Sequence, residues 1–85
     1  MNIDTSGIEK LLRKLKQKDP ALFRAVKRKI DQIAKLDRET INHFKNLRGD
    51  LSNYKRVHVG SFILMFKVEN DTIIFDKFRH HDEAY

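Results

Sequence analysis

From Tyr54 to Phe78 the chain reads YKRVHVGSFILMFKVENDTIIFDKF, in which runs of Val, Ile, Leu and Phe are broken at Gly60-Ser61 and Asn70-Asp71. β-Branched and aromatic runs around two-residue Gly/Asn/Asp loops predict a meander of antiparallel strands, over roughly 54–59, 62–68 and 72–79. With two residues in each loop, Val57 faces Leu64, His58 faces Ile63, Phe66 faces Phe75, Met65 faces Asp76 and Ile63 faces Phe78. Side chains alternate along a strand, and opposed residues share a face. One face then carries Val57, Val59, Phe62, Leu64, Phe66, Val68, Ile73 and Phe75, and is the predicted core. The second face carries Tyr54, Arg56, His58, Lys67 and Asp76 among Ile63, Met65, Ile74 and Phe78, with His80 beyond the last strand.

The N-terminal half has a different period. Ile8, Leu11, Leu12 and Leu15 recur at helical spacing, and Ser6-Gly7-Ile8-Glu9 before them fits a capping box. Asp19-Pro20 reads as the end of one helix and the N-cap and first residue of the next. Phe23, Val26, Ile30 and Ile33 form the second stripe, beside Leu22 and Ala34. So short a connection folds the helices back as a hairpin whose combined stripe covers the apolar sheet face. Met1 to Thr5 reads as a brief first strand at the sheet edge. Asp37-Arg38-Glu39 offers a turn, Ile41 and Phe44 can tuck against the core, and His43 is expected at the surface. The predicted fold is α+β: a helical hairpin on one face of a three- to four-stranded antiparallel sheet, one domain over residues 1–85.

Composition narrows the setting. Eighty-five residues without cysteine leave no disulfide and no thiolate metal site. No apolar run approaches the ~18 residues of a membrane span, and no signal-peptide pattern is present, so a soluble cytoplasmic protein is expected. A net charge of +6 favours an anionic partner, nucleic acid or an acidic protein. The basic outer faces of the helices read first as solvated surface, and add to a field that attracts RNA.

No Gly-rich phosphate loop, HExxH pair or defensible nucleophilic triad occurs. His80-His81-Asp82 offers too few convergent ligands for a metal, so neither metal nor other cofactor is expected. The aromatic and cationic second face suits a phosphate chain with stackable bases, or else is a solvated face whose apolar members meet a partner protein. Metal-free RNA cleavage asks little of a protein, because the ribose 2′-oxygen is the nucleophile. The protein must align it, take its proton, neutralise the phosphorane and protonate the leaving 5′-oxygen. Arg56, His58, Arg79, His80, His81 and Tyr85 are the right types for that work, and Arg48, Tyr54, Lys55 and Lys67 for holding RNA.

Ser6 through Leu15, Asp19-Pro20, Leu47-Arg48-Gly49, the stretch Tyr54 to Phe62 and the tail His80-His81-Asp82-Glu83-Ala84-Tyr85 together resemble the RelE/ParE toxin superfamily. They are similar to its LRG before the second strand, its YxRxRVGxYR hairpin and its closing HRKxxY. The resemblance implies a toxin silenced by a cognate antitoxin in a hetero-oligomer. In the RelE branch it cleaves messenger RNA on the ribosome; in the ParE branch it poisons gyrase. It also implies that Arg56 is a base or phosphate contact and His58 a second cation of that strand. Arg79 or the His80-His81 pair would be the C-terminal cation or acid, and Tyr85 the base-stacking ring. One departure stands out: the family's YR at the start of the third strand is Phe62-Ile63 here. Either His58 and Arg79 take over the arginine's role, or cleavage is slow or absent. The readings are then a ribosome-dependent mRNA endoribonuclease, a non-catalytic member of the fold (a gyrase inhibitor or an antitoxin-binding remnant), or a general RNA-binding domain.

Overall fold

The structure, a computed structural model, describes residues 1–44, 46 and 53–84, with the backbone alone at Glu83 and Ala84. In chain order the elements are β1 (Asn2–Asp4), a 3₁₀ turn (Ser6–Ile8), α1 (Glu9–Lys18), α2 (Pro20–Ala34), α3 (Arg38–Ile41), β2 (Lys55–Val59), β3 (Phe62–Glu69), β4 (Thr72–His80) and α4 (His81–Ala84). Among the described residues the strands form one sheet in the order β1-β4-β3-β2.

The helical hairpin follows from local chemistry. α1 contains no glycine and no β-branched residue, so propensity alone favours it. It stops at Asp19, whose carboxylate accepts a hydrogen bond from the Leu22 amide at 3.1 Å while Pro20 opens α2. The expected capping by Ser6 does not occur. Ser6 begins a tighter 3₁₀ turn, and both its amide and its hydroxyl donate to Asp4 Oδ1, at 2.9 and 2.7 Å. The predicted turn at Asp37 is the start of α3, with the Asp37 carboxylate accepting from the Thr40 amide at 2.8 Å.

The meander keeps both two-residue loops, with Val59 opposite Phe62 and Glu69 opposite Thr72. Gly60 and Asn70, the first loop residues, have φ of 60° and 55°, the left-handed backbone that so tight a hairpin demands. β1 pairs with β4 in parallel, so the sheet is mixed and not purely antiparallel. The physical reason is that the helical crossover carries the chain from β1 to the far edge, where β2 runs in the same direction, and the antiparallel meander β2-β3-β4 then brings β4 beside β1 in that direction.

The helical stripes and the predicted sheet face form one core. Ile8, Leu12, Val26, Ile30, Ile33 and Ile41 are buried against Val59, Leu64, Phe66, Ile73 and Phe75, with Val57, Phe62, Val68 and Phe44 packed around them. Phe78 also belongs to this core, stacked on Phe62 with ring centroids 4.9 Å apart. That corrects its predicted place on the second face.

Candidate functional site

Phe78 changes face because of a bulge. Phe66 pairs with Phe75 as the alternation requires, but Met65 pairs with Lys77, leaving Asp76 as the extra residue of β4. From that point the register departs from the expected one by a residue. Leu64 faces Phe78, and Ile63 faces Arg79. A bulge puts two residues of one strand against one of its neighbour, so Asp76 and Lys77 together take a position that one side chain would otherwise fill.

The outcome is a pair of cation-bearing rows on the second face. His58, Ile63 and Arg79 lie across three strands in one row, and Arg56, Met65 and Lys77 in the next. Lys77 was not singled out from sequence, although Phe75-Asp76-Lys77-Phe78 shows two adjacent polar residues between aromatics that both need burial. A strict two-residue period cannot bury both rings. That was the available signal.

The C-terminal segment is turned back over the first row. His81 donates its amide to the Ser61 carbonyl at 2.8 Å, tying α4 to the β2–β3 loop. Its ring stacks on His58 with centroids 5.7 Å apart and planes 28° from parallel. The His58 row ends in Arg79, where the sequence pattern puts Phe78, and His81 joins it through its ring. His80 goes elsewhere. Its ring stands edge-on to Phe62 at 5.2 Å, on the core side, and its Nδ1 accepts from the Asp82 amide at 3.3 Å. Sequence neighbours thus face different surroundings.

Tyr54 is also not what its type suggests. It is 7% exposed and clusters with Ile63 and Met65, themselves 0% and 1% exposed. Its hydroxyl donates to Asp76 Oδ2 at 2.7 Å, and the ammonium groups of Lys67 and Lys77 lie 5.3 and 5.6 Å from its ring centroid. The hydrogen bond to Asp76, with burial second, holds the phenol above the ordinary tyrosine pKa. Tyr54 is packed inside the protein and is no platform for a base. Of Ile63, Met65, Ile74 and Phe78, the second-face apolar residues expected to be exposed to an antitoxin, Ile63, Met65 and Phe78 are buried and Ile74 is half-buried.

The other expected RNA contacts are scattered. Lys55 donates to Asn46 Oδ1 at 2.8 Å and to the Phe44 carbonyl at 3.4 Å, fastening the segment after α3 to β2. Lys67 pairs with Glu69 at 3.3 Å. Arg48, with the Leu47-Arg48-Gly49 motif, and Tyr85 lie outside the described residues. Beside β2, whose Lys55 is bridged to Asn46, lies a groove of about 430 Å³ lined by His43, Phe44, Arg56, Val57 and His58. His43 is exposed there, as expected.

Chemically the surface offers guanidinium groups for a phosphate and two imidazoles in contact, around an aliphatic centre. Among the described residues no group of three or more His, Cys, Asp or Glu is placed to hold a metal ion. No described helix is long and apolar enough to cross a membrane.

Comparison with known proteins bears on all of this. The model of a family described as the ParE toxin of type II toxin–antitoxin systems matches residues 6–85. The chain is 40% identical over 82 residues to a protein of Methanocaldococcus jannaschii named as toxin RelE4, covering 93% of this chain and 83% of that one. Among solved structures it is similar to YafQ from Escherichia coli, with a TM-score of 0.72 and 18% identity over 99% of this chain and 97% of that one. It is also similar to a chain of the toxin–antitoxin complex RelBE2 of Mycobacterium tuberculosis, with a TM-score of 0.67 and 21% identity over 93% and 95% of the two.

Proposed function

The chain belongs to the RelE/ParE toxin superfamily of type II toxin–antitoxin systems, and on that premise we propose that it is a metal-free messenger-RNA endoribonuclease. It acts in the cytoplasm on messages held by the ribosome, and a cognate antitoxin binds and silences it. The observation that carries the reading is the His58–Ile63–Arg79 row with His81 stacked on His58. It supports a site in which fixed cations and proton carriers share one surface.

The reaction needs no outside reagent. The ribose 2′-oxygen attacks the adjacent phosphorus while the bond from phosphorus to the 5′-oxygen breaks, giving a 2′,3′-cyclic phosphate and a 5′-hydroxyl. One imidazole of the His58–His81 pair takes the 2′-hydroxyl proton, and the other gives a proton to the departing 5′-oxygen. Each such transfer contributes roughly 10²- to 10⁴-fold. Arg79 and Arg56 neutralise the phosphorane, where one donor is worth about 10²- to 10³-fold. The RelBE2 likeness, a toxin solved with its antitoxin, supports the antitoxin as partner.

A second reading, a non-catalytic toxin acting on gyrase, is favoured by the match to the ParE description and by buried Ile63 at the centre of the row. Inducible expression of wild type beside Arg79→Ala and a double His58→Ala, His81→Ala variant separates the two. Growth arrest with new 5′ ends in translated messages within minutes, lost in both variants, is expected. Arrest without cuts, with purified protein inhibiting gyrase supercoiling, would establish the second reading and overturn the first.

A further inference from the structure

Four residues make α3, too few for a helix to persist on its own, so its place comes from what fastens it. The Asp37 carboxylate caps its first turn. The Arg38 guanidinium donates at 2.7 Å both to the Asn70 carbonyl and to Asp71 Oδ1, pinning the helix to the β3–β4 loop. Ile41 is fully buried in the core. Beyond it the His43 and Phe44 amides donate to the Thr40 and Ile41 carbonyls, each at 3.1 Å. The Phe44 carbonyl in turn accepts from the Lys55 ammonium of β2 at 3.4 Å.

This bracket presents two adjacent rings at the side of β2, His43 exposed and Phe44 half-buried. Phe44 meets Phe66 with centroids 5.6 Å apart and planes at 79°. An edge-on contact of that kind leaves at least one face of the Phe44 ring clear of Phe66. Both rings line the groove of about 430 Å³ together with Arg56, Val57 and His58, and no carboxylate lines it. His58 is shared between this groove and the stack with His81, so the groove is continuous with the surface proposed to react.

We infer that the groove is a nucleobase subsite for unpaired RNA: the base beside the scissile phosphate lies on the Phe44 ring, with His43 at its edge. Arg56 meets the phosphate at the same time. The inference rests on the proposed ribonuclease reading and adds how that site takes hold of its substrate. Unpaired strands are held by aromatic faces for the bases beside cations for the backbone, and a groove with a ring, a guanidinium and no acid offers both. The imidazole of His43 brings a donor and an acceptor to a base edge when neutral. Elsewhere the rings are spent. Tyr54, Phe66, Phe75 and Phe78 are buried, Phe62 is stacked on Phe78 with His80 edge-on to it, and Phe23 has the Lys16 ammonium 5.9 Å from its centroid.

The test compares two ligands that differ only in the base, adenosine 5′-monophosphate and ribose 5-phosphate. Neither is cleaved, so binding is read apart from catalysis. By NMR titration wild type should bind the nucleotide about 5- to 150-fold more tightly, the range for one stacked base, with the His43 and His58 ring signals shifting. In His43→Ala and in Phe44→Leu that ratio should fall toward 1, while ribose 5-phosphate binding stays within about twofold of wild type. Leucine keeps an apolar contact with Phe66, and His43 is exposed, so a folding failure at one position leaves the other to decide; circular dichroism checks both. Arg56→Ala should weaken both ligands and preserve their ratio. A wild-type ratio within about twofold, a ratio unmoved in both ring variants, or shifts that avoid His43 and His58 would each overturn the inference. Tetraglutamate moving those signals while the nucleotide does not would overturn it in favour of an acidic protein segment. Message cleavage by wild type with a ratio indifferent to both rings sinks the subsite alone. A ring-dependent ratio in a protein that leaves translated message intact sinks the ribonuclease alone.

Discussion

Replacing Ile63 by arginine supplies the guanidinium that the family pattern has at this position, and on sequence grounds it should strengthen cleavage. The structure predicts the reverse. Ile63 is 0% exposed, clusters with Tyr54 and Met65, and lies between His58 and Arg79. Removing it forfeits roughly 1.5 to 3 kcal/mol of apolar burial. An arginine there must leave water beside another cation, Arg79. Of the nearby Asp76 carboxylate, Oδ2 already accepts from Tyr54, and Oδ1, buried with no hydrogen-bond partner among the described residues, lies at the bulge one row away. An unpaired buried charge costs about 3 to 5 kcal/mol. Even the lower sum, ~4.5 kcal/mol, takes a large part of the stability of a chain this size, which at ~0.05 to 0.15 kcal/mol per residue is about 4 to 13 kcal/mol. At ~4 to 8 °C per kcal/mol, Ile63→Arg should melt at least ~15 °C below wild type by circular dichroism. Its cleavage of translated message should not rise. Adding Tyr54→Ser opens a route to solvent for the guanidinium, and the double variant should recover by at least ~1 kcal/mol relative to additivity. A single variant melting within ~5 °C of wild type and cleaving faster would refute the reasoning, because Ile63 would then not be sealed.

Gly7 presses on the bulge: a Cβ built there would lie 2.7 Å from Asp76 Cβ and 3.1 Å from its Cα. Its backbone is not left-handed, so alanine gains ~0.4 to 1 kcal/mol through the unfolded chain but pays ~1 to 3 kcal/mol in overpacking. Gly7→Ala should therefore melt below wild type, and an equal or higher midpoint would deny the close approach. The Asp37 carboxylate is held below the usual aspartate range, mainly by the hydrogen bond from the Thr40 backbone amide. A depressed folded pKa means stability that is present above the unfolded value and lost as pH falls through the folded one. Asp37→Asn keeps the cap and removes the titration, so urea midpoints from neutral pH to about 2 should fall less in that variant than in wild type; equal losses would show that Asp37 does not contribute.

How much of this was legible depends on whether the controlling contact is local. The helical stripes, the Asp19-Pro20 junction, both hairpin loops and the eight residues of the core face follow from periods and turn chemistry a few residues long. Register beyond Phe75 does not, because a bulge conserves composition while flipping every later side chain. The Phe75-Asp76-Lys77-Phe78 spacing carried a trace of it, readable only by asking which rings had to be buried together. Tyr54 lies on the second face, as alternation predicts, but is buried there against Ile63 and Met65. Its burial rests on Asp76, Lys67 and Lys77, residues from two other strands whose proximity no local pattern expresses. The parallel alignment of β1 is likewise a consequence of the crossover and not of the three residues in the strand.

The same bulge decides where on the second face the proposed chemistry has room. Rows two residues apart on a strand are ~6.6 Å apart, and positions two strands apart about 9.5 Å, so Arg56, His58, Lys77 and Arg79 frame Ile63 and Met65. The middle of the frame is closed, because Tyr54 lies on those two side chains and is held by the extra residue, Asp76. The Lys77 ammonium lies 5.6 Å from the centroid of the Tyr54 ring. What remains is the β2 side, where Arg56 and His58 line the groove and His81 stacks on His58. A phosphodiester on the proposed reading lies along that edge, reached by Arg79 from across the row. The isoleucine is then no vacancy in a family site: it forms the floor beneath Tyr54 that displaces the reaction toward β2.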